Sequence, residues 1–380
     1  MPAFLVAGEV HTAASPTLDA TASACLRGLC AAPIKLSVPY LQGQITLPYF
    51  AAGIVTEADE TMLRLARAAL AQAGISTSAE LQATALLLGT SSGDVGLHEQ
   101  LYREELSTEA CGGAKAIPVR EASYGCAAQR LAVTLGIAGP CYTLTTACSA
   151  AANALLLATQ LIEAGRVRHA LVLGTETKNL VSLLGFHGLM LTAKNGYKPF
   201  DAQRDGIVLG EALGAAVLST EPRGASAWQI LGGASLCDSA HPTSSSPQGI
   251  AGVIAAALAN AGVSASQIVA IKAHGTGTPS NDEAEAKGLM QVFATAMPPF
   301  TSLKSSLGHT LGACGVVETL TLLRAIECGG LPATAGFAEA DPALGGMVPV
   351  QHCTPLPRGP VLLNYFGFGG NNCALVFAPC

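Results

Sequence analysis

An α/β fold is predicted from three observations. Short apolar runs alternate with longer Ala/Leu-rich runs along all 380 residues. Half of the residues (50%) are hydrophobic, enough for a large core. Aromatics are only 5% while glycine reaches 42 residues, as expected where helices press closely onto a parallel sheet. In chain order the strand-like runs are Ala85 to Leu88, Tyr142 to Thr146, Ala170 to Gly174, Ala215 to Leu218, Ile268 to Ala273, Val361 to Tyr365 and Ala374 to Phe377. Short runs of this kind, bounded mainly by Gly, Pro or polar residues, read as strands buried on both faces. Their alternation with helical runs implies βαβ units.

Composition excludes several classes. A net charge of −6 without a Lys/Arg cluster argues against nucleic-acid binding. The 12 cysteines show no C-x-x-C pair and no zinc spacing, and the N-terminus has no basic, signal-like region. A reducing cytoplasm and no metal are therefore expected. Mean hydropathy is +0.42, and Leu131 to Ile162 and Gly249 to Ile271 carry no charge. Gly136, Gly139 and Pro140 break the first, and Asn260, Ser264, Ser266 and Gln267 dilute the second, so both read as buried elements rather than membrane spans.

Cys148 stands in Thr145-Thr146-Ala147-Cys148-Ser149-Ala150-Ala151, between a strand-like run and an Ala/Leu-rich helical run. The first turn of that helix would point unpaired N–H groups and the positive end of its dipole at the sulfur, a field that favours thiolate. The small neighbours would leave the sulfur uncovered for attack on a carbonyl, with the same N–H groups holding the oxyanion. The alternative is an inert buried cysteine. His274, in Ala273-His274-Gly275-Thr276-Gly277-Thr278, emerges at the carboxyl end of a strand, where α/β sheets place their sites. His309, in Lys304-Ser305-Ser306-Leu307-Gly308-His309-Thr310, lies just ahead of the helical run Leu311 to Ile326. Lys304 and Glu318 flank it and read either as an ion pair that positions its loop or as unrelated solvated charges. The hydroxyls of Thr276 and Thr278 can face one channel or simply satisfy a turn.

With these motifs the chain resembles the β-ketoacyl-acyl carrier protein synthases, the Cys-His-His condensing enzymes of the thiolase superfamily. Five motifs in the family's order carry the resemblance: the Cys148 elbow, Lys198-Pro199-Phe200-Asp201 with Arg204-Asp205-Gly206 and Gly210-Glu211, the His274 loop, Lys304 through His309 with Glu318, and Asn364 through Asn372. It implies a thiolase-like fold of two similar βαβαβ halves in five α-β-α-β-α layers. Residues 1–224 would carry the nucleophile. Residues 225–380 would carry both histidines and a Gly-rich gating loop, the division falling around Glu221-Pro222-Arg223-Gly224.

The resemblance further implies an acyltransferase that performs a decarboxylating Claisen condensation. Cys148 would hold the acyl group, with backbone N–H groups of Cys148 and Phe368 as oxyanion hole. His274 and His309 would stabilise the enolate, with Lys304 and Glu318 in support. Thr276 and Thr278 would bind a phosphopantetheine arm. Phe366 and Phe368 would contact substrate, Phe368 as a gate, although an aromatic in a core turn is the alternative for Phe368. No separate cofactor is implied, since substrates arrive on acyl carrier protein, docked through local residues such as Lys194, Lys198 or Arg64. A dimer is implied, either of identical chains or with a second ketosynthase-like subunit, in fatty-acid or polyketide/polyene synthesis. A non-catalytic chain-length factor is the competing reading; such partners usually lack the nucleophile present here. Cys373 invites comparison with thiolases but reads as buried at the start of a strand. Ile207, Leu213 and Asn371 depart from family preferences at positions expected to flank the site, and the region from about Gly96 to Gly125, which helps shape the acyl pocket in relatives, is short.

Overall fold

The computed structural model describes residues 1–380 except 30, 42, 55–56, 110–122, 224–226, 239–242, 244 and 295, and for 104–109 only the backbone. The expected division at 224/225, and residues 110–122 of the short region from about Gly96 to Gly125, lie outside the described residues.

Ten strands form the large sheet among the described residues: β1 Ala3–Thr12, β2 Thr84–Gly89, β3 Cys141–Leu144, β4 His169–Glu176, β5 Ala212–Ser219, β6 Trp228–Cys237, β7 Ala270–Lys272, β8 Phe300–Thr301, β9 Val361–Gly367 and β10 Asn371–Pro379. Their order is β8-β7-β9-β10-β6-β1-β5-β4-β2-β3. The two sides repeat one plan. In each, the second strand pairs in parallel with the third and the fourth, the fourth pairs antiparallel with the fifth, and the fifth antiparallel with the first. The two first strands join the sides through a short antiparallel pairing of Ala3–Leu5 with Trp228–Ile230.

Helices α1 Ala150–Glu163 and α2 Cys314–Cys328 pack against each other and against strands of both sides, so they form the middle layer. Ala58–Gln72 and Tyr124–Leu135 cover the outer face of the first side; Pro247–Ala261 and Pro279–Phe293 run outside the second, the former packed on β6 and β10 and the latter on its neighbour. The result is the expected five-layer α/β architecture. Strand periodicity accounts for the unbroken apolar runs. Ala85, Leu87, Ala170 and Val172 face the middle layer, while Leu86, Leu88, Leu171 and Leu173 face the outer helices. The second side repeats this with Leu363 and Tyr365 inward and Leu362 and Phe366 outward.

Three strands of the large sheet, β1, β6 and β8, escape a reading based on apolar runs. β1 carries Glu9 and His11 and a register shift between Leu5 and Ala7, β6 is interrupted by Gly232-Gly233, and β8 is two residues long. The run Tyr142 to Thr146 pairs only to Leu144, because Thr145 and Thr146 turn away toward Cys148. Both uncharged stretches resolve into separate helices and strands, although the first includes exposed Val133 and Tyr142 and is not wholly buried as expected, and no described helix is long and apolar enough to cross a membrane.

The middle helices touch backbone to backbone. A Cβ on Gly315 of α2 would lie 2.0 Å from the Ala152 nitrogen of α1, and one on Gly89 of β2 would lie 2.3 Å from the Ala151 Cα. In an exposed helix Gly→Ala stabilises by about 1 kcal/mol. Gly315→Ala is expected to do the reverse, destabilising by roughly 1–3 kcal/mol as the helices are forced apart, measured by urea denaturation.

Candidate active site

β3 leads into a turn of 3₁₀ helix, Ala147–Ser149, and then into α1. The turn is sharp enough to force Ala147 to φ +50°, a conformation that L residues adopt only under strain. It is braced locally: Ser149 Oγ donates to the Thr146 carbonyl at 2.8 Å, and Asn153 Nδ2 to Thr146 Oγ1 at 2.8 Å. Cys148 sits at the apex, 4% exposed, in an apolar cluster with Phe50, Leu183, Ile207, Val208 and Leu311. The Gly367-Phe368 segment passes beside it, since a Cβ on Gly367 would lie 3.3 Å from the Cys148 nitrogen, and the Phe368 N–H points at the sulfur.

Burial pushes the Cys148 thiol up to about 12, against the opposing pull of the Lys304 ammonium and the Phe368 N–H. This corrects the expectation that the helix field makes the resting sulfur a thiolate. The sulfur is also covered rather than left open by its small neighbours, because the Phe366–Phe368 segment and the Leu311 turn close over it.

Carboxylates hold the His274 loop from the following helix. Glu285 accepts the N–H groups of His274 and Gly275, each at 2.8 Å, and Asp282 accepts those of Phe200 at 2.8 Å and Gly277 at 3.1 Å. Arg204 reaches into the same frame, donating to Asp341 at 2.6 Å and to the Pro279 carbonyl at 3.3 Å. Asp201 accepts three backbone N–H groups, from Gln203, Ala338 and Glu339. The motif from Lys198 to Gly206 is thus the brace of the His274 loop. His309 is fixed through its own backbone, its N–H on the Val208 carbonyl at 2.8 Å and its carbonyl accepting from Gly210 at 3.0 Å. Its Nδ1 accepts the Leu311 N–H at 3.2 Å, which leaves the proton on Nε2.

The two imidazoles lie edge to face with centroids 5.5 Å apart. Burial first, and then the Lys304 ammonium, hold both well below the ordinary imidazole range. They are neutral N–H donors at physiological pH. The Lys304–Glu318 pair exists, at 2.7 Å and fully buried, and it has a third member that motif reading missed: Lys272 Nζ lies 2.5 Å from the other Glu318 oxygen and 3.6 Å from the Tyr365 ring centroid. Glu318 stays ionised, because its two ammoniums outweigh burial.

Cys148, His274, His309, Thr276, Thr278, Phe366 and Phe368 all line one cavity of ≈ 30 Å³, room for little more than a water. The threonine hydroxyls are 3.0 Å apart and bond one another. Ile207 forms part of the cavity wall rather than flanking it; Asn371 donates to the Phe368 carbonyl at 3.3 Å, and Leu213 lies in the outer core. Phe368 is half-buried and stacks on Phe186 with ring centroids 5.3 Å apart. Lys194 is exposed and Lys198 half-exposed near Leu191 of the cavity, whereas Arg64 lies on an outer helix beside His11. Cys373 is fully buried in β10. Sequence reading did not single out Lys272, Asp282, Glu285 or Phe186. The available signals were a charge inside an apolar strand for Lys272 and carboxylates three apart just after the His274 loop for Asp282 and Glu285.

The match to known families agrees with this geometry. Residues 55–223 match the model of the beta-ketoacyl synthase N-terminal domain and residues 229–338 that of the C-terminal domain. Nodulation protein E of Rhizobium meliloti is 33% identical over 332 residues, 82% of this chain and 80% of that protein. The 3-oxoacyl-[acyl-carrier-protein] synthase 2 of Synechocystis sp. is 34% identical over 263 residues, 65% of this chain and 63% of that one. A structure of a ketosynthase in complex with its chain length factor, from Xenorhabdus doucetiae, superposes with a TM-score of 0.85 at 28% identity, covering 100% of this chain and 98% of the matched one. The chain belongs to the β-ketoacyl synthase family.

The covered sulfur carries a measurable consequence. At pH 8, iodoacetamide is expected to alkylate exposed Cys237, Cys328, Cys353 and Cys380 before Cys148. The Cys148 rate should keep climbing about tenfold per pH unit past pH 9 instead of levelling near the ordinary thiol range, as read by peptide mass spectrometry.

Proposed function

We propose that the chain is a β-ketoacyl-acyl carrier protein synthase that condenses a malonyl thioester with an acyl group held on Cys148. The observation that carries this reading is the convergence of a buried thiol and two neutral imidazoles on one small cavity. In the first half-reaction the Cys148 sulfur attacks an acyl thioester, its proton passing by way of an adjacent imidazole to the departing carrier thiol. The N–H groups of Cys148 and Phe368 receive the oxyanion. In the second, the malonyl group loses CO₂, and the electron pair of the broken C–C bond forms an enolate whose oxygen accepts from His274 and His309. The enolate carbon attacks the acyl-Cys148 carbonyl. A C–C bond forms, the C–S bond breaks, and the sulfur takes up one proton as the 3-ketoacyl product leaves.

The apolar cluster around Cys148 supports an aliphatic acyl side, and the Thr276 and Thr278 hydroxyls suit the amides of a phosphopantetheine arm. Movement of Phe368 away from Phe186 would admit the chain, with Phe366 and Phe368 contacting it. Acyl carrier protein is the substrate donor in this reading, met near Lys194 and Lys198, and no separate cofactor is used. The two halves divide at 224/225, and the free edge strand β3 supports pairing with an identical or related subunit. A cytoplasmic place in fatty-acid or polyketide/polyene synthesis completes the proposal. A chain-length-factor role is disfavoured by the intact Cys148, His274, His309 and Lys304.

Cys148→Ala is expected to abolish acyl transfer yet keep malonyl decarboxylation, since the histidines remain. Loss of both with the fold intact contradicts the assignment. His309→Ala should permit acylation of Cys148 but lower decarboxylation at least 10²-fold, assayed as CO₂ release; unchanged release removes His309 from the site.

A further inference from the structure

Glu318 is the node of the buried polar core, and its two oxygens are occupied by different lysines. Lys304 opens the short helix Lys304–Leu307, which leads to His309; Lys272 ends β7, two residues before His274. One carboxylate on α2 therefore ties together the two segments that carry the imidazoles. Lys272 is fully buried, and its ammonium also lies on the Tyr365 ring, whose hydroxyl is paired with Thr319 of α2 at 2.7 Å. An isolated Lys–Glu pair would suffice to keep Lys304 charged. The second lysine costs desolvation and calls for a separate role.

We propose that Lys272 is a positioning residue of the decarboxylation site: through Glu318 it locks the end of the His274 strand to the His309 loop, and it leaves the cluster with two ammoniums against one carboxylate, one net positive charge. That charge sits in a buried interior and opposes any further cation, so both imidazoles remain neutral N–H donors as the enolate forms. Among the described residues, few charged and titratable groups face the two rings. Lys272 and Lys304 act on both, His309 acts on His274, Glu318 lies behind the lysines, Glu285 accepts the His274 N–H, and Cys148 and Cys314 lie at the adjoining helix starts. Both carboxylates would favour imidazolium. Burial opposes it first, and among the charged groups the two lysines oppose it at both rings, with His309 adding to them at His274.

The consequence for catalysis rests on the condensing-enzyme reading; the electrostatic consequence does not. Full-length protein labelled with [¹⁵N]histidine would be titrated by NMR, with His274→Gln and His309→Gln used for assignment, in parallel with the pH profile of malonyl-carrier-protein decarboxylation. In Lys272→Met the imidazoles should begin to protonate about one pH unit higher than in the wild type. The acid limb of decarboxylation should move up by the same amount. Lys272→Arg should keep both near the wild-type positions. The double variant Lys272→Met/Glu318→Gln restores one net charge without the tether; its imidazole titration should return toward wild type while decarboxylation at its optimum pH falls below that of the wild type. Unmoved titrations in Lys272→Met, and in Lys272→Gln should the Met variant fail to fold, overturn the proposal. Absence of decarboxylation in the wild type, with the titrations shifted as expected, overturns the functional reading and leaves Lys272 its electrostatic role.

Discussion

The approach of the two middle helices at backbone contact is the constraint on which the site depends. α1 and α2 meet through Ala151, Ala152 and Gly315, and a Cβ on Gly315 would not fit. Each helix starts from the same kind of turn, with Ala147 at φ +50° before one and Leu311 at φ +43° before the other. Because the helix starts are neighbours, Cys148 and the His309 loop become neighbours too, and the Cys314 thiol donates to the Cys148 carbonyl at 2.9 Å. Glu176 completes the join by accepting from Ser91 and Ser92 on one side and from the Gly312 N–H on the other. The duplicated strand order makes this symmetric meeting possible, since each half delivers one helix to the middle layer.

Burial then sets the charge states. A helix N-terminus favours an anion by roughly 0.3–1 kcal/mol, less than one pH unit of thiol acidity, whereas full burial shifts an ionisable group by about 3–5 units. Burial wins at Cys148, so the resting sulfur is a thiol. The same argument keeps both imidazoles neutral, which suits donors to a developing enolate. The thiol is activated only as its proton leaves. Charge is concentrated instead in Lys272, Glu318 and Lys304, behind the reacting groups and out of solvent. The carboxylates Asp282 and Glu285 spend their hydrogen bonds on loop backbone rather than on chemistry.

The sequence made legible what depends on local pattern. Strands buried on both faces show as apolar runs, so β2, β4, β5, β9 and β10 could be read; the polar or glycine-broken β1 and β6 could not. Cys148, His274, His309, Thr276 and Thr278 lie in small, Gly-containing or strand-end turns, and all of them reach one cavity. Lys304 and Glu318 pair across 14 residues, as a short helix followed by a turn and a longer helix allows. Lys272 could not be placed, because its partner is 46 residues away and belongs to another layer. The weakened acidity of the Cys148 thiol was equally out of reach, since it depends on how completely Phe366, Gly367, Phe368 and Leu311 enclose the sulfur.

The most direct test of the account is intact-protein mass spectrometry after mixing the chain with acyl-carrier proteins of graded chain length, with Cys148→Ala as control, followed by malonyl-carrier protein. An acyl adduct that requires Cys148 and disappears when the malonyl donor is added is the predicted result. A folded protein that takes no acyl group from any donor would contradict it and point to a subunit that acts only beside a catalytic partner.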